Sequence, residues 1–261
     1  MENAIEVKGL TVNYRKMNIL NGISFSVPRG GVTAVLGSSG CGKTTLFKHL
    51  ITLLKPSDGS IFMNGQDITV LDEDGLEVVR KRMGVLFQGT ALFNSITLAD
   101  NIALPMREHT QLEESTLQIM VRMKLDLVGL SGFEDYYPSQ LSVGMKKRAG
   151  LARAMAMDPE FLFLDEPSAG LDPSTEAGID ELILKLNKAF KMTIVVVTHE
   201  LQSVYDIADH VIMLDRGEVI FMGTAEELKL SGNERVQMFL ERKPDEGVCS
   251  PEDYFRLIAG D

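Results

Sequence analysis

Cysteine is scarce in this chain of 261 residues. Cys41 and Cys249 are the only two, so there is no disulfide framework and the composition suits a reducing compartment. Long apolar runs are missing as well. A membrane-spanning helix needs about 20 consecutive apolar residues, whereas the strongest runs here, Ile194–Val197 and Phe161–Leu164, are short. The start, Met1-Glu2-Asn3-Ala4, has neither the basic residues nor the apolar stretch of an export signal. The expected location is therefore the cytoplasm, and work at a membrane would need another subunit to supply the span. Positive charge is in deficit: 26 Lys and Arg stand against 37 Asp and Glu, a net charge of −11. That argues against sequence-independent nucleic-acid binding, in which Lys and Arg neutralise phosphates. The deficit is local, because residues 1–157 hold 17 basic and 15 acidic residues while residues 158–261 hold 9 and 22. With 44% hydrophobic and 24% charged residues the composition is that of a globular protein, not a disordered one.

What is present reads as α/β. Ile5, Val7, Leu10 and Val12 are apolar at near-alternate positions, as are Ile23, Phe25 and Val27, and both stretches predict strands. After the turn Pro28-Arg29-Gly30-Gly31, the continuous apolar run Val32–Leu36 predicts a buried parallel strand. A glycine-rich loop follows, then Thr45–Leu54 with helical spacing, ended by Lys55-Pro56-Ser57-Asp58-Gly59. The stretch of about 90–157 predicts a helical block, with helices over Leu98–Met106, Leu112–Leu127 and Met145–Met157. Strand-like runs return at Phe161–Leu164, Thr193–Val197, Val211–Leu214 and Val219–Phe221, and Thr224–Glu227 reads as a capping box opening a short helix.

The chemistry begins at Gly37-Ser38-Ser39-Gly40-Cys41-Gly42-Lys43-Thr44, a full match to G-x-x-x-x-G-K-[ST]. Glycines let the backbone wrap a phosphate with its N–H groups inward, and the positive end of the following helix faces the anion. Lys43 can reach the β- and γ-phosphates, and the Thr44 hydroxyl can ligate Mg²⁺. Cys41 at a variable loop position is more simply a small filler than a redox group. Phe161-Leu162-Phe163-Leu164-Asp165-Glu166 is a buried strand with two carboxylates at its carboxyl end, the edge where open α/β sheets bind ligands. Asp165 is placed to hold Mg²⁺ and Glu166 to act as general base toward water.

Leu141-Ser142-Val143-Gly144-Met145, followed by Lys146-Lys147-Arg148, resembles the signature segment LSGGQ of the ATP-binding cassette family. Gln88 stands in that family's Q-loop place, Ser168-Ala169-Gly170-Leu171-Asp172 looks like its D-loop, Thr198-His199-Glu200 supplies the switch histidine, and Tyr14 sits where an aromatic residue stacks on adenine. Alone, His199 would be an ordinary strand-end histidine, Gln88 a surface amide and Tyr14 a half-buried strand aromatic; six motifs in order favour the functional reading. The resemblance implies a P-loop NTPase fold with a RecA-like core, an antiparallel β subdomain and an inserted helical subdomain. The cassette would span 1–243 and an extension 244–261. ATP would be held by Tyr14 and by Gly37, Ser38, Ser39, Gly40, Cys41, Gly42, Lys43, Thr44 and Thr45. A second copy, packed head to tail, would offer Ser142, Val143, Gly144, Met145 and Asp172 to the same nucleotide. Thr44, Gln88 and Asp165 would hold Mg²⁺, and Glu166, His199 and Lys43 would carry hydrolysis.

The stretch Gly89–Thr110, which contains Ala91-Leu92-Phe93 and Asp100-Asn101-Ile102-Ala103-Leu104-Pro105-Met106-Arg107-Glu108, is similar to the ATPases of the Mla and Mce lipid-transport systems, as are Met145 and Glu234–Leu240. This likeness implies a phospholipid-transport ATPase at the cytoplasmic face of an inner membrane. Its partners would be permease subunits, a periplasmic Mce-domain lipid-binding protein reached through them, and a small cytoplasmic accessory subunit; nucleic acid is not among them. An ATPase for another cargo, such as polar amino acids, shares the core motifs. One departure stands out: Val143 replaces the first signature glycine, and because a β-branched residue disfavours left-handed φ, slower dimer closure is expected. The tail 244–261 is either a frayed end or a helix with Tyr254, Phe255, Leu257 and Ile258 on one face that grips the neighbouring ATPase.

Overall fold

Two sheets organise the chain. In a computed structural model that describes residues 2–14 and 17–243, the first sheet is antiparallel. It is built from β1 (Asn3–Tyr14), β2 (Met17–Pro28), β4 (Asp58–Met63) and β5 (Gln66–Asp67), in the order β2-β1-β4-β5. The second contains β3 (Val32–Gly37), β6 (Met83–Leu86), β7 (Phe161–Asp165), β8 (Thr193–Thr198), β9 (His210–Asp215) and β10 (Glu218–Gly223), in the order β10-β9-β3-β8-β7-β6. All its pairings are parallel except the β9–β10 hairpin.

The apolar runs of β3, β7 and β8 follow from burial on both faces, since alternate side chains on a strand point to opposite sides. Leu162, Leu164, Ile194 and Val196 face one core, together with α3 (Leu98–His109), α4 (Glu114–Leu127), α5 (Val143–Ala154) and α6 (Pro173–Phe190). Phe161, Phe163, Val195 and Val197 face the other, with α1 (Lys43–Leu50) and the antiparallel sheet. Helices α3 to α5 lie between β6 and β7, where the helical block was expected. The Thr224 box opens α8 (Ala225–Lys229) in both directions, with Thr224 Oγ1 accepting from Glu227 N and Glu227 Oε2 accepting from Thr224 N. Two further short helices are α7 (Leu201–Ile207), between β8 and β9, and α9 (Glu234–Leu240), the last described element.

Several boundaries differ from those read in the sequence. Helix α1 starts at Lys43 directly after Gly42, and it stops at Leu50 because Thr52 turns to a φ of 60° and Lys48 O accepts from Leu53 N. Helix α5 begins at Val143, two residues early, because the Ser142 hydroxyl caps it by accepting from Met145 N at 3.2 Å. Strands β4 and β5, α2 (Glu73–Arg80, capped by Asp72) and α6 had no counterpart in the sequence reading. No helix among the described residues is long and apolar enough to cross a membrane. The expected tail helix lies outside the described residues.

The register places the chemistry. Leu36 pairs with Thr198, Asp165 with Val197 and Leu86 with Leu164. The loops carrying Gly37–Thr44, Gln88, Glu166 and His199 therefore all leave the sheet at its carboxyl edge.

Candidate active site

The glycine loop is shaped by what cannot fit in it. A Cβ on Gly37 would lie 2.3 Å from Leu214 O, and one on Gly42, which has φ 109°, would lie 2.7 Å from Leu20 Cδ2. Cys41 is buried and its carbonyl accepts from Gly217 N, so the β9–β10 turn props the loop from behind; the filler reading fits that packing. Lys43 Nζ donates to Gly37 O at 2.8 Å and Ser38 O at 2.9 Å, folding the loop around its own cation. Helix α1 has no side-chain N-cap and no acidic residue in its first turn. Its leading N–H groups and dipole therefore stay available to an anion.

Opposite the loop stands the acidic pair. Asp165 is buried at the end of β7; desolvation pushes its carboxyl up, the Glu166 charge adds to that, and Lys147 and Lys43 oppose it. Glu166 adopts φ +49°, a left-handed conformation that costs of order 1–3 kcal/mol and persists only where neighbours impose it. Here Glu166 N donates to Val197 O at 2.9 Å and Glu166 O accepts from Lys147 Nζ at 2.8 Å. The Glu166 carboxylate lies 2.8 Å from His199 Nδ1, while His199 Nε2 lies 3.3 Å from Glu200 Oε1.

A cleft of ≈ 630 Å³ unites Ser38, Ser39, Gly40, Gly42, Lys43, Thr44, Thr45, Gln88, Asp165, Glu166 and His199, and Ile19, Val197 and Phe239 form its apolar wall; Gly37, Cys41 and Tyr14, also expected at the nucleotide, do not line it. The Thr44 hydroxyl, Gln88 amide and Asp165 carboxylate are hard oxygen donors lining one cleft, and that donor set fits Mg²⁺. Tyr14 ends β1 and is largely exposed. Ile19, Phe239 and Lys147 are not legible as site residues in the sequence; Phe239 lies in the Glu234–Leu240 segment and Lys147 in the basic run after Met145, but neither pattern says that the side chain reaches the cleft or its loops.

The signature residues lie at the start of α5. Ser142 and Val143 are exposed, Met145 packs partly against the helical core, and Gly144 is buried, where a Cβ would meet Thr175 Cγ2 at 2.6 Å. Val143 holds the first helical position, not a left-handed one. The backbone objection to valine, and with it the expectation of slower closure on that ground, therefore does not apply. Asp172 caps α6 by accepting from Ser174 N and Thr175 N and from both hydroxyls, which hold its carboxyl well below the usual carboxylate range.

Glycine cradle, buried acid at a parallel strand end and flanking histidine define a P-loop nucleotide-binding cassette. The ABC transporter family model matches residues 20–169. Intermembrane phospholipid transport system ATP-binding protein MlaF of Haemophilus influenzae is 45% identical over 244 residues, 94% of this chain and 92% of its own. The probable ribonucleotide transport ATP-binding protein mkl of Mycobacterium leprae is 43% identical over 237 residues, 91% of this chain and 68% of its own. Among solved structures, the dimeric post-hydrolysis state of the ATP-binding cassette MJ0796 bound to ADP and Pi superposes with a TM-score of 0.78 at 28% identity, covering 85% of this chain and 98% of that one. The chain belongs to the ABC transporter family and is one of its ATPases.

Proposed function

We propose that the chain is the ATP-hydrolysing motor of a transporter that moves phospholipids between the membranes of a cell envelope. The observation that carries this reading is the 45% identity to MlaF across 94% of the chain, and the gathering of Lys43, Thr44, Gln88, Asp165, Glu166 and His199 along one cleft supports it. Residues 1–243 would form the cassette. Lys43 and the N–H groups at the start of α1 would bind the β- and γ-phosphates, with Ile19, Phe239 and Tyr14 toward the base. Thr44, Gln88 and Asp165 would hold Mg²⁺, which supplies charge neutralisation on the phosphate oxygens. Water attacks the γ-phosphorus and passes its proton to Glu166 as the bond to ADP breaks. His199, bonded to that carboxylate, keeps it aimed and steadies the developing charge.

Two copies packed head to tail would complete each site with Ser142–Met145 of the other. The exposure of Ser142 and Val143 and the dimeric state of the cassette relative support this. The dimer would sit on permease subunits at the cytoplasmic face of an inner membrane, with a periplasmic Mce-domain protein beyond them. An amino-acid cargo is not favoured by these relatives. A ribonucleotide cargo is the second reading, favoured by the name of the mycobacterial relative. The test is purification of the tagged chain from membranes with its partner chains, followed by mass spectrometry of the bound small molecules. Co-purified phospholipid and ATP-dependent lipid transfer by the complex are expected. A complex that carries nucleotides or amino acids and moves no lipid would overturn the reading.

A further inference from the structure

In the sequence Lys147 is the middle of three consecutive basic residues, a pattern that ordinarily marks a solvated face. It is instead 3% exposed. Its ammonium donates to two main-chain carbonyls far apart in sequence, Gln88 O at 2.8 Å and Glu166 O at 2.8 Å. Both bonds end on residues of the hydrolytic cleft, and one ends on a residue with left-handed φ.

We propose that Lys147 is a positioning residue for hydrolysis: reaching from α5, its ammonium fixes the main chain of Glu166, and through it the carboxylate, and ties both to the loop of Gln88. The proposal rests on Glu166 being the base. Three observations support it. Burying an ammonium is unfavourable unless hydrogen bonds and nearby opposite charge offset it; here the two carbonyls accept from it, and desolvation lowers the Lys147 pKa while Glu166 and Asp165 act to raise it. The Glu166 conformation needs external support. Its N–H is anchored to Val197 of β8, but its carbonyl is held by Lys147 Nζ and only weakly by Ala169 N, at 3.3 Å. Finally, Lys147 shares α5 with Ser142–Met145 at the helix start. One side chain thus links the segment offered to the other copy's nucleotide with the carboxylate that acts on its own, so rotation of α5 is transmitted to Glu166.

The test uses the full-length chain, with ATP hydrolysis and nucleotide binding measured separately. Lys147→Met keeps the length and removes the donors. Its kcat is expected to fall by roughly ten- to a hundredfold, the loss that small misplacement of a catalytic group produces. KM and the Kd for ATP should stay near wild type, while the thermal midpoint falls modestly because the Gln88 and Glu166 carbonyls lose a donor. Lys147→Arg, which retains charge and donors, should recover most of kcat. Lys147→Gln, with a neutral donor on a shorter stem, is the second variant if the first does not fold. Unchanged kcat overturns the proposal, as does a loss of ATP binding in step with turnover, or failure of both neutral variants to fold, which would make Lys147 structural. Glu166→Gln runs in parallel: if it still hydrolyses ATP, the base assignment fails and takes the proposal with it. If it is dead while Lys147→Met is normal, only the Lys147 proposal fails.

Discussion

Asn101 of α3 fastens the loop that follows Gln88. It is fully buried, and its Oδ1 accepts from Phe93 N at 2.8 Å. Its Nδ2 donates to Phe93 O at 3.0 Å, Thr97 O at 2.9 Å and Ile96 O at 3.3 Å. Three carbonyls around one atom and an N–H beside the other fix the amide orientation chemically. The loop it closes includes Thr90 and Ala91, at φ 63° and 53°, so its shape is not one the chain would choose locally. In Asn101→Ala, Thr97 O keeps a partner in Asn101 N, at 3.0 Å. Phe93 N–H and the carbonyls of Phe93 and Ile96 lose theirs. A buried polar group left without a partner costs about 1–3 kcal/mol, and some of the three will find water, so a loss of about 3 kcal/mol is expected. Asn101→Asp should be worse despite its similar shape, because it turns a carboxylate oxygen toward three carbonyls and must protonate or break away. Urea titration followed by circular dichroism gives the stabilities, and hydrogen exchange over 89–97 gives the local effect. An aspartate variant as stable as the alanine one, or losses below about 1 kcal/mol in both, would show that the Asn101 amide is not what holds the loop.

Glu166→Gln should bind ATP and lose turnover by about 10²–10⁴-fold in phosphate release, the range of a general base; retained hydrolysis would remove it from that role. Gly144→Ala sets a Cβ 2.6 Å from Thr175 Cγ2, and an overpacked contact of this kind costs about 1–3 kcal/mol. Adding Thr175→Ser removes that methyl while keeping the hydroxyl bonded to Asp172, so the double variant should regain most of the lost melting temperature. Burial pushes the Asp180 carboxyl up to about 6, with Glu176 and Asp206 adding to the effect and the Ser203 hydroxyl, at 2.6 Å, opposing it. Because the folded value lies above the unfolded one of about 3.9, the contribution of Asp180 to stability is present below pH ~4. It is lost as pH rises through about 6, at about 1.4 kcal/mol per unit in that window. Asp180→Asn should flatten the melting temperature over that interval, and a slope equal to wild type would count against it.

The parts of the site that local patterns encode could be read from sequence. The run Phe161–Leu164 with Asp165 behind it, and the glycine spacing from Gly37 to Gly42, each state their burial or backbone demand within eight residues. Parallel register then brought the loops of Gln88, Glu166 and His199 together without further information. What stayed hidden depends on distant partners. Strand β4 has half-exposed residues and buries only Ile61 and Met63, so its alternation is faint. Val143 stands where the family signature has a loop glycine, whereas the Ser142 cap makes its position helical. Lys147 reads locally as one of three surface cations and is buried by carbonyls 59 and 19 positions away.

The chain contains no tryptophan, which turns the wall formed by Phe239 into an optical opportunity. Helix α9 is moored at its start by Arg235, which pairs with Asp215 and Glu218. Phe239 presents a half-buried ring to the cleft from one helical turn further on. Phe239→Trp would therefore place a single indole, in a chain otherwise dark at its emission wavelength, in the wall of the cleft proposed to take the nucleotide. Its fluorescence would follow nucleotide arrival and departure in real time, without a label on either partner.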